Sequence, residues 1–333
     1  MSGVRNLWRN ERAVAGLVIL LIFVLAIPFV GGEYVLQLML IGFAAMVPIG
    51  LAAGGELVNE RAGLFNIGIE GIMLLSALGS AYAAGMAGTW WLGLIVGAGV
   101  GTVLGLLFGL LATYGKVNQI IAGVGINMIA LGAVGYWLVA VWGTPGFHVV
   151  PRALRLPRIS TPAFSFSPFI VFAVLAPLVV DFVLRRSRFG LRAKAAGYNP
   201  FVTDVSGIDV FKLRTAACAF GGAMAGLAGS YMTIDWLGIV SYDVVAGRGF
   251  IAIACVVFGG LDPILTLQAA YLFGLLSALS MWMQNIPWAA PLMRSGGNYL
   301  FLMLPYLSVI AILLAFPRRE ALSKMIGVPY RRE

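Results

Sequence analysis

Four polar side chains sit within otherwise apolar runs: Asn66, Glu70, Gln119 and Asn127. The chemistry they suggest is hydrogen bonding rather than bond cleavage. Amides offer donors and acceptors without net charge, which suits an uncharged polar ligand. Asn66 and Glu70 lie four residues apart, so on a helix both would project to one side. Glu70 is costly to bury unpaired. It reads either as a functional group or as a partner pinning neighbouring helices, and both readings stay open. Asp181 is a further acid near the end of an apolar run. Little points to catalysis. No G-x-x-x-x-G-K-[ST] is present, so the chain does not bind ATP through a P-loop. The sole histidine, His148, falls in a loop and is unaccompanied by G-x-S-x-G, so it reads as an ordinary loop residue. No loop carries the paired acids that hold magnesium and a diphosphate. Asp235 and Asp243, also in a loop, read as partner contacts.

A second kind of chemistry is suggested by residues 185–214, a polar stretch carrying Arg185, Arg186, Arg188, Arg192, Lys194, Lys212 and Arg214. A short helix is marked inside it at both ends. Asn199 can cap an orphan N–H, and Pro200 lacks one and has the φ of a first helical residue. Gly207 can supply the left-handed C-terminal residue. Phe201, Val202 and Val205 would then form one exposed apolar face, with Asp204 among them. Such a face reads as a docking surface. The alternative is a surface connector whose charges only fix topology.

The elements that must position these residues follow from composition. Of the 333 residues, 61% are hydrophobic and 11% charged, outside the range of a soluble domain. The reading is an all-α polytopic membrane protein, residues 1–333 forming one transmembrane domain. At about 20 residues per span the apolar runs accommodate about ten helices. The expected spans are 13–30, 34–53, 64–85, 90–113, one from about 118 to 142, 168–184, 213–233, 247–260, 263–283 and 299–316. Gly54-Gly55 reads as a break and 56–63 as a polar loop. The first span has the form of a signal sequence but lacks a small-x-small cleavage pattern, so it reads as uncleaved. Cys218 and Cys255 lie in apolar runs and read as packing residues.

Orientation follows from the basic residues. With both termini cytoplasmic, only Arg152, Arg155, Arg158, Arg248 and Arg294 of the 22 Lys and Arg fall outside. The net charge of +9 then belongs to the anionic inner leaflet, not to nucleic acid. The loop 185–214 and a tail 317–333 are cytoplasmic in this layout. Gly93, Gly97, Gly101, Gly105 and Gly109 recur every fourth residue, a stripe that lets another backbone approach. Tight packing within one subunit is the favoured reading, with a moving or dimer-facing helix as the alternative. Gly222 and Gly226 repeat the device.

Four blocks in order carry a resemblance: E-R-A-G-L-F-N-I-G-I-E-G-I-M-L-L-S-A (60–77), N-Q-I-I-A-G-V-G-I-N (118–127), R-A-K-A-A-G-Y-N-P with G-I (192–208), and A-G-L-A-G-S (225–230). Over about 39–316 the chain resembles the integral-membrane permeases of ATP-binding-cassette (ABC) importers for branched-chain amino acids, ribose-type sugars and nucleosides. The N-I-G-I-E-G-I-M-L wording and the G-R-G-F-I-A-I-A and F-G-G-L-D-P block (247–263) look most like the nucleoside or simple-sugar branch. The resemblance implies inverted repeats relating spans two to five and seven to ten. It also implies that Asn199, Pro200, Phe201, Val202, Asp204, Val205 and Gly207 form a coupling helix seated on a cytosolic ATPase. ATP and magnesium would be held there, with no cofactor in this chain. The other implied partners are a second permease, identical or homologous, and an extracytoplasmic substrate-binding lipoprotein. An ion-coupled secondary transporter is the rival from another class, but it would be expected to bury several charges, whereas Glu70 stands nearly alone.

Overall fold

In a computed structural model the described residues are 32–160, 165–284, 297, 300, 302–315, 327 and 330. The expected first span, Arg294 and most of the tail 317–333 lie outside the described residues.

The described chain is mostly helical. Helix α1 (Gly32–Arg61) leads to α2 (Ile69–Ala87), α3 (Trp90–Thr113) and α4 (Gln119–Ala140). Next come α5 (Phe169–Arg186), α6 (Arg188–Tyr198) and the short α7 (Pro200–Val205). Helix α8 (Val210–Tyr231) ends in a wider, π-type turn, Met232–Trp236, and is followed by α9 (Arg248–Phe258), α10 (Pro263–Met283) and α11 (Leu304–Ala315). Among the described residues six helices are long and apolar enough to cross a membrane: α1, α2, α3, α4, α8 with its π turn, and α10.

Helix α1 corrects one expectation. It runs unbroken through Gly54-Gly55 to Arg61, so Glu56, Asn59 and Glu60 are buried helical residues and not a polar loop. The glycine pair serves packing: a Cβ on Gly55 would lie 2.7 Å from the carbonyl oxygen of Gly221 in α8. At 1.5 Å per residue α1 is about 45 Å long, more than the roughly 30 Å hydrocarbon core. Helix α9, with 11 residues, covers only about half that core.

Two helix pairs make the most extensive contacts, α3 with α8 and α1 with α10. From Gly97 to Gly109 the glycine stripe of α3 lies against α8, while Gly93 faces Ser80 and Ala84 of α2. A Cβ on Gly101 would meet the Gly222 oxygen at 2.2 Å and the Gly226 Cα at 2.7 Å. Such approach is available only to glycine, and in lipid it supplies the packing that joins helices. The stripe is therefore an intrasubunit seam.

The segment 143–167 also departs from an unstructured loop. Strand β1 (Phe147–Val149) pairs antiparallel with β4 (Ile239–Ser241), and β2 (Ile159–Ser160) with β3 (Ser165–Phe166). His148 stacks on Trp142 with ring centroids 4.2 Å apart, and partial burial holds its imidazole below the usual value. Asp235, expected to meet a partner, is buried in the chain itself. It accepts from Ser167 Oγ and, at 3.3 Å, from Arg158 Nε, while Arg158 Nη2 reaches the Asp235 carbonyl at 2.8 Å. Cys218 and Cys255 are buried and unbridged.

Candidate functional site: a linker junction and a docking helix

Residues 62–68, between α1 and α2, are not helical. Asn66 therefore precedes the start of α2 at Ile69 and shares no helix face with Glu70, contrary to the expectation from spacing. Glu70 stands in the first turn of α2. An unwound segment among apolar helices must have its backbone groups satisfied by protein. The side chains do this. Glu56 Oε1 accepts from the Asn66 N–H at 2.7 Å, Gln119 Oε1 from the Phe65 N–H at 2.7 Å, and Asn66 Oδ1 from the Gly68 N–H at 2.9 Å. Asn127 bridges the far end: its Oδ1 accepts from the Gly71 N–H at 2.7 Å and its Nδ2 donates to the Ile67 carbonyl at 3.1 Å.

Glu70 faces a second unwound segment, the one leading into α9. Its Oε1 accepts from the Gly247 N–H and its Oε2 from the Gly249 N–H, both at 2.7 Å. A carboxylate at a helix N-terminus satisfies orphan donors and meets the positive end of the helix dipole. The N-termini of α2 and α9 thus abut, closely enough that a Cβ on Gly249 would lie 2.8 Å from the Glu70 backbone. Arg248, expected in an outer loop, lies beside this contact. Its guanidinium sits 4.9 Å from the Trp236 ring centroid and its Nη1 donates to the Val245 carbonyl at 3.0 Å.

The four sequence candidates are therefore brought to one junction. Three residues there were missed: Glu56, Asn59 and Glu60. Asn59 Nδ2 donates to Glu56 Oε2 at 2.8 Å, while both Glu60 oxygens, Asn59 Oδ1 and Gln119 Nε2 have no hydrogen-bond partner among the described residues. Their i, i+3 and i, i+4 spacing was the available signal, masked by the expected glycine break.

Replacing Glu70 tests the junction. Alanine leaves two N–H groups without an acceptor, each costing about 1–3 kcal/mol. Glu70→Ala is expected to melt several degrees below the parent in detergent. Glu70→Gln should fall between, since its amide oxygen retains one of the two bonds. Equal melting of all three would show that the carboxylate carries no structural weight.

Ahead of α8, α7 forms as its punctuation implies. Asn199 Oδ1 accepts from the Val202 N–H at 3.1 Å, Pro200 is the first helical residue, and Gly207 takes φ +82°. Phe201, Val202 and Val205 are exposed, whereas Thr203 is buried. The neighbouring basic residues are not all free surface charge. Arg214 is buried and donates through Nε to the Ala62 carbonyl at 3.0 Å. Arg61 Nη2 donates to the Leu261 carbonyl at 2.5 Å, and Arg185 pairs with Asp181 at 2.6 Å and with Asp262 at 3.1 Å. Asp209 caps α8 through the Lys212 N–H, which holds its carboxyl below the usual range.

With this geometry in hand, residues 38–313 match the family model described as the permease component of the branched-chain amino acid transport system. The chain belongs to this permease family. It is 37% identical over 79% of its length to TsgC13 of Haloferax volcanii, an ABC transporter permease protein with a provisional glucose assignment, covering 86% of that protein. The guanosine ABC transporter permease protein NupQ of Bacillus subtilis is 31% identical, over 85% of this chain and 92% of the relative. The nucleoside ABC transporter permease protein NupC of Lactococcus lactis is 30% identical, over 85% and 93%. No solved structure matches. The permease is a membrane component of an ABC transporter, and its relatives include nucleoside and sugar permeases.

Proposed function

We propose that this permease imports a nucleoside across the cytoplasmic membrane. In this reading an extracytoplasmic binding lipoprotein delivers the ligand, a cytosolic ATPase pair drives transport, and a second permease, identical or homologous, completes the path. The observation that carries the substrate is the identity with two nucleoside permeases over 85% of the chain. Glu70 is compatible with it: its carboxylate is engaged by the Gly247 and Gly249 N–H groups, and the junction atoms without a partner among the described residues are the amide atoms Gln119 Nε2 and Asn59 Oδ1 and the Glu60 carboxyl. The second reading is a simple sugar, favoured by the 37% identity to TsgC13.

The ligand path runs past the linker junction, shaped by Asn66, Glu70 and Asn127, with Gln119 Nε2 as a donor without a partner among the described residues. Inverted repeats of α1–α4 and α8–α11 are supported by the paired contacts α3 with α8 and α1 with α10, which such a symmetry would exchange. They are supported also by the meeting of α2 and α9, each preceded by an unwound segment. About ten spans with both termini cytoplasmic complete the layout.

Alternating access then needs a handle. Helix α7 is that handle: its apolar face seats on the ATPase, and closure of the ATPase pair moves the permease body. ATP and magnesium remain on the ATPase. The test is purification from native membranes in mild detergent, with identification of the co-purifying chains and a nucleoside and sugar binding screen on any lipoprotein found. The expected result is a P-loop ATPase together with a nucleoside-binding lipoprotein. A chain recovered alone, with no ATPase crosslinked at α7, would overturn the reading. A sugar-selective lipoprotein would move the substrate to the second reading.

A further inference from the structure

Tyr330 is distant from α7 in sequence but lies against it in space. Its hydroxyl donates to Asp204 Oδ2 at 3.1 Å. Its ring lies 5.7 Å from that of Phe211, at the start of α8, and packs on the small cluster of Ala196, Val210 and Leu213. The Phe211 ring in turn lies 5.4 Å from Tyr114, which caps the end of α3. One side chain of the C-terminal segment thus connects α7 to the α3–α8 pair, whose glycine seam makes it a close-packed body.

The position matters because α7 has only six residues. A helix so short has no stability of its own, and its orientation is set by what lies behind it. Phe201, Val202 and Val205 face away from the chain, so none of them can fix that orientation. Buried Pro200 and Thr203 seat its inner side, and Asp204 receives the Tyr330 hydroxyl. A push on α7 reaches α3 and α8 only if α7 does not swivel in its loop.

We propose that Tyr330 is a positioning residue for energy coupling. Tyr330 braces α7 through its hydrogen bond to Asp204 and the Tyr330, Phe211 and Tyr114 ring row, so that displacement of α7 moves the α3–α8 body. This rests on α7 being the ATPase-docking helix. It assigns Tyr330 a mechanical role in the transport cycle.

The test uses the complete transporter, with its ATPase, second permease and binding protein, reconstituted in vesicles. Uptake of tritiated guanosine and ATP hydrolysis are measured together for Tyr330→Phe and Tyr330→Ala. A Ser206→Cys reporter beside α7 records crosslinking to the ATPase in each background. Tyr330→Ala is expected to lower uptake per ATP hydrolysed about ten-fold, and Tyr330→Phe, which keeps the ring row, two- to three-fold, with crosslinking retained in both. Wild-type ratios in both variants would overturn the proposal. So would a fall in uptake and hydrolysis together, in proportion to the chain recovered, which marks a folding defect. Absence of any crosslink in the otherwise unaltered chain is a different failure, that of α7 as the docking helix.

Discussion

Phe201→Asp is expected to lower ligand uptake by the assembled transporter at least ten-fold while the chain still inserts and accumulates. Phe201 and Val205 are 54% and 74% exposed, so the substitution removes no internal contact of consequence. In the proposed seating its effect falls on the ATPase. Seating α7 in an apolar groove would then bury a carboxylate without a counter-charge, and an isolated buried charge is among the most costly groups to desolvate. Gly207→Pro should give the same phenotype by another route. The residue adopts φ +82°, which proline, fixed near −65°, cannot reach. Uptake and ATPase co-purification, measured on equal amounts of inserted chain, decide the matter. Normal uptake by both variants would remove α7 from the coupling pathway.

The second large effect is on folding. Gly101→Leu is expected to abolish accumulation of folded chain, because its side chain would enter space held by the backbone of α8. The Gly222 oxygen and Gly226 Cα would lie 2.2 Å and 2.7 Å from the new Cβ. Neither is the end of a flexible side chain, so the helices themselves must separate. Overpacking typically costs about 1–3 kcal/mol where side chains can yield, and the three nearest atoms at Gly101 are all backbone. Gly99→Leu on the same helix is the control: nothing lies within 4 Å of its Cβ, and it should accumulate normally. Monodispersity in detergent after size exclusion reads the difference. Equal profiles for the two variants would show that the α3–α8 seam tolerates expansion.

These two predictions differ in how far the sequence alone supports them. Helix α7 was legible because its signals are local: Asn199 caps the third residue on, Pro200 is suited to the first turn, and Gly207 supplies the left-handed residue at the end. The glycine stripe of α3 was legible as a packing face for the same reason, since a four-residue period needs no partner to be seen. The partner was another matter. That the stripe meets Gly222 and Gly226 of α8, and not a second subunit, follows only from the fold.

The junction shows where local reading fails. Gly54-Gly55 reads as a helix break because glycine is a poor helix former, but α8 lies against α1 there and needs the bare backbone. The helix therefore continues to Arg61 and carries Glu56, Asn59 and Glu60 into the interior. Asn66 and Glu70 have helical spacing, but the segment holding Asn66 is unwound, stabilised by acceptors on Glu56 and Gln119 that come from other helices. Asp235 looked like a loop acid awaiting a partner and found Ser167 and Arg158 within its own chain.

By itself, the sequence determined the class of solvent, the approximate positions of most apolar helices, the punctuation of α7 and, through the order of its motifs, the permease family. Composition, period and capping are properties of neighbouring residues, so they survive without a fold. Tertiary structure alone decided which polar groups meet. In an apolar surrounding each unwound backbone group must find a partner, and those of Phe65, Ile67, Gly71, Gly247 and Gly249 are supplied by helices remote in sequence. Which of the four candidates holds which donor therefore depended on how those helices pack.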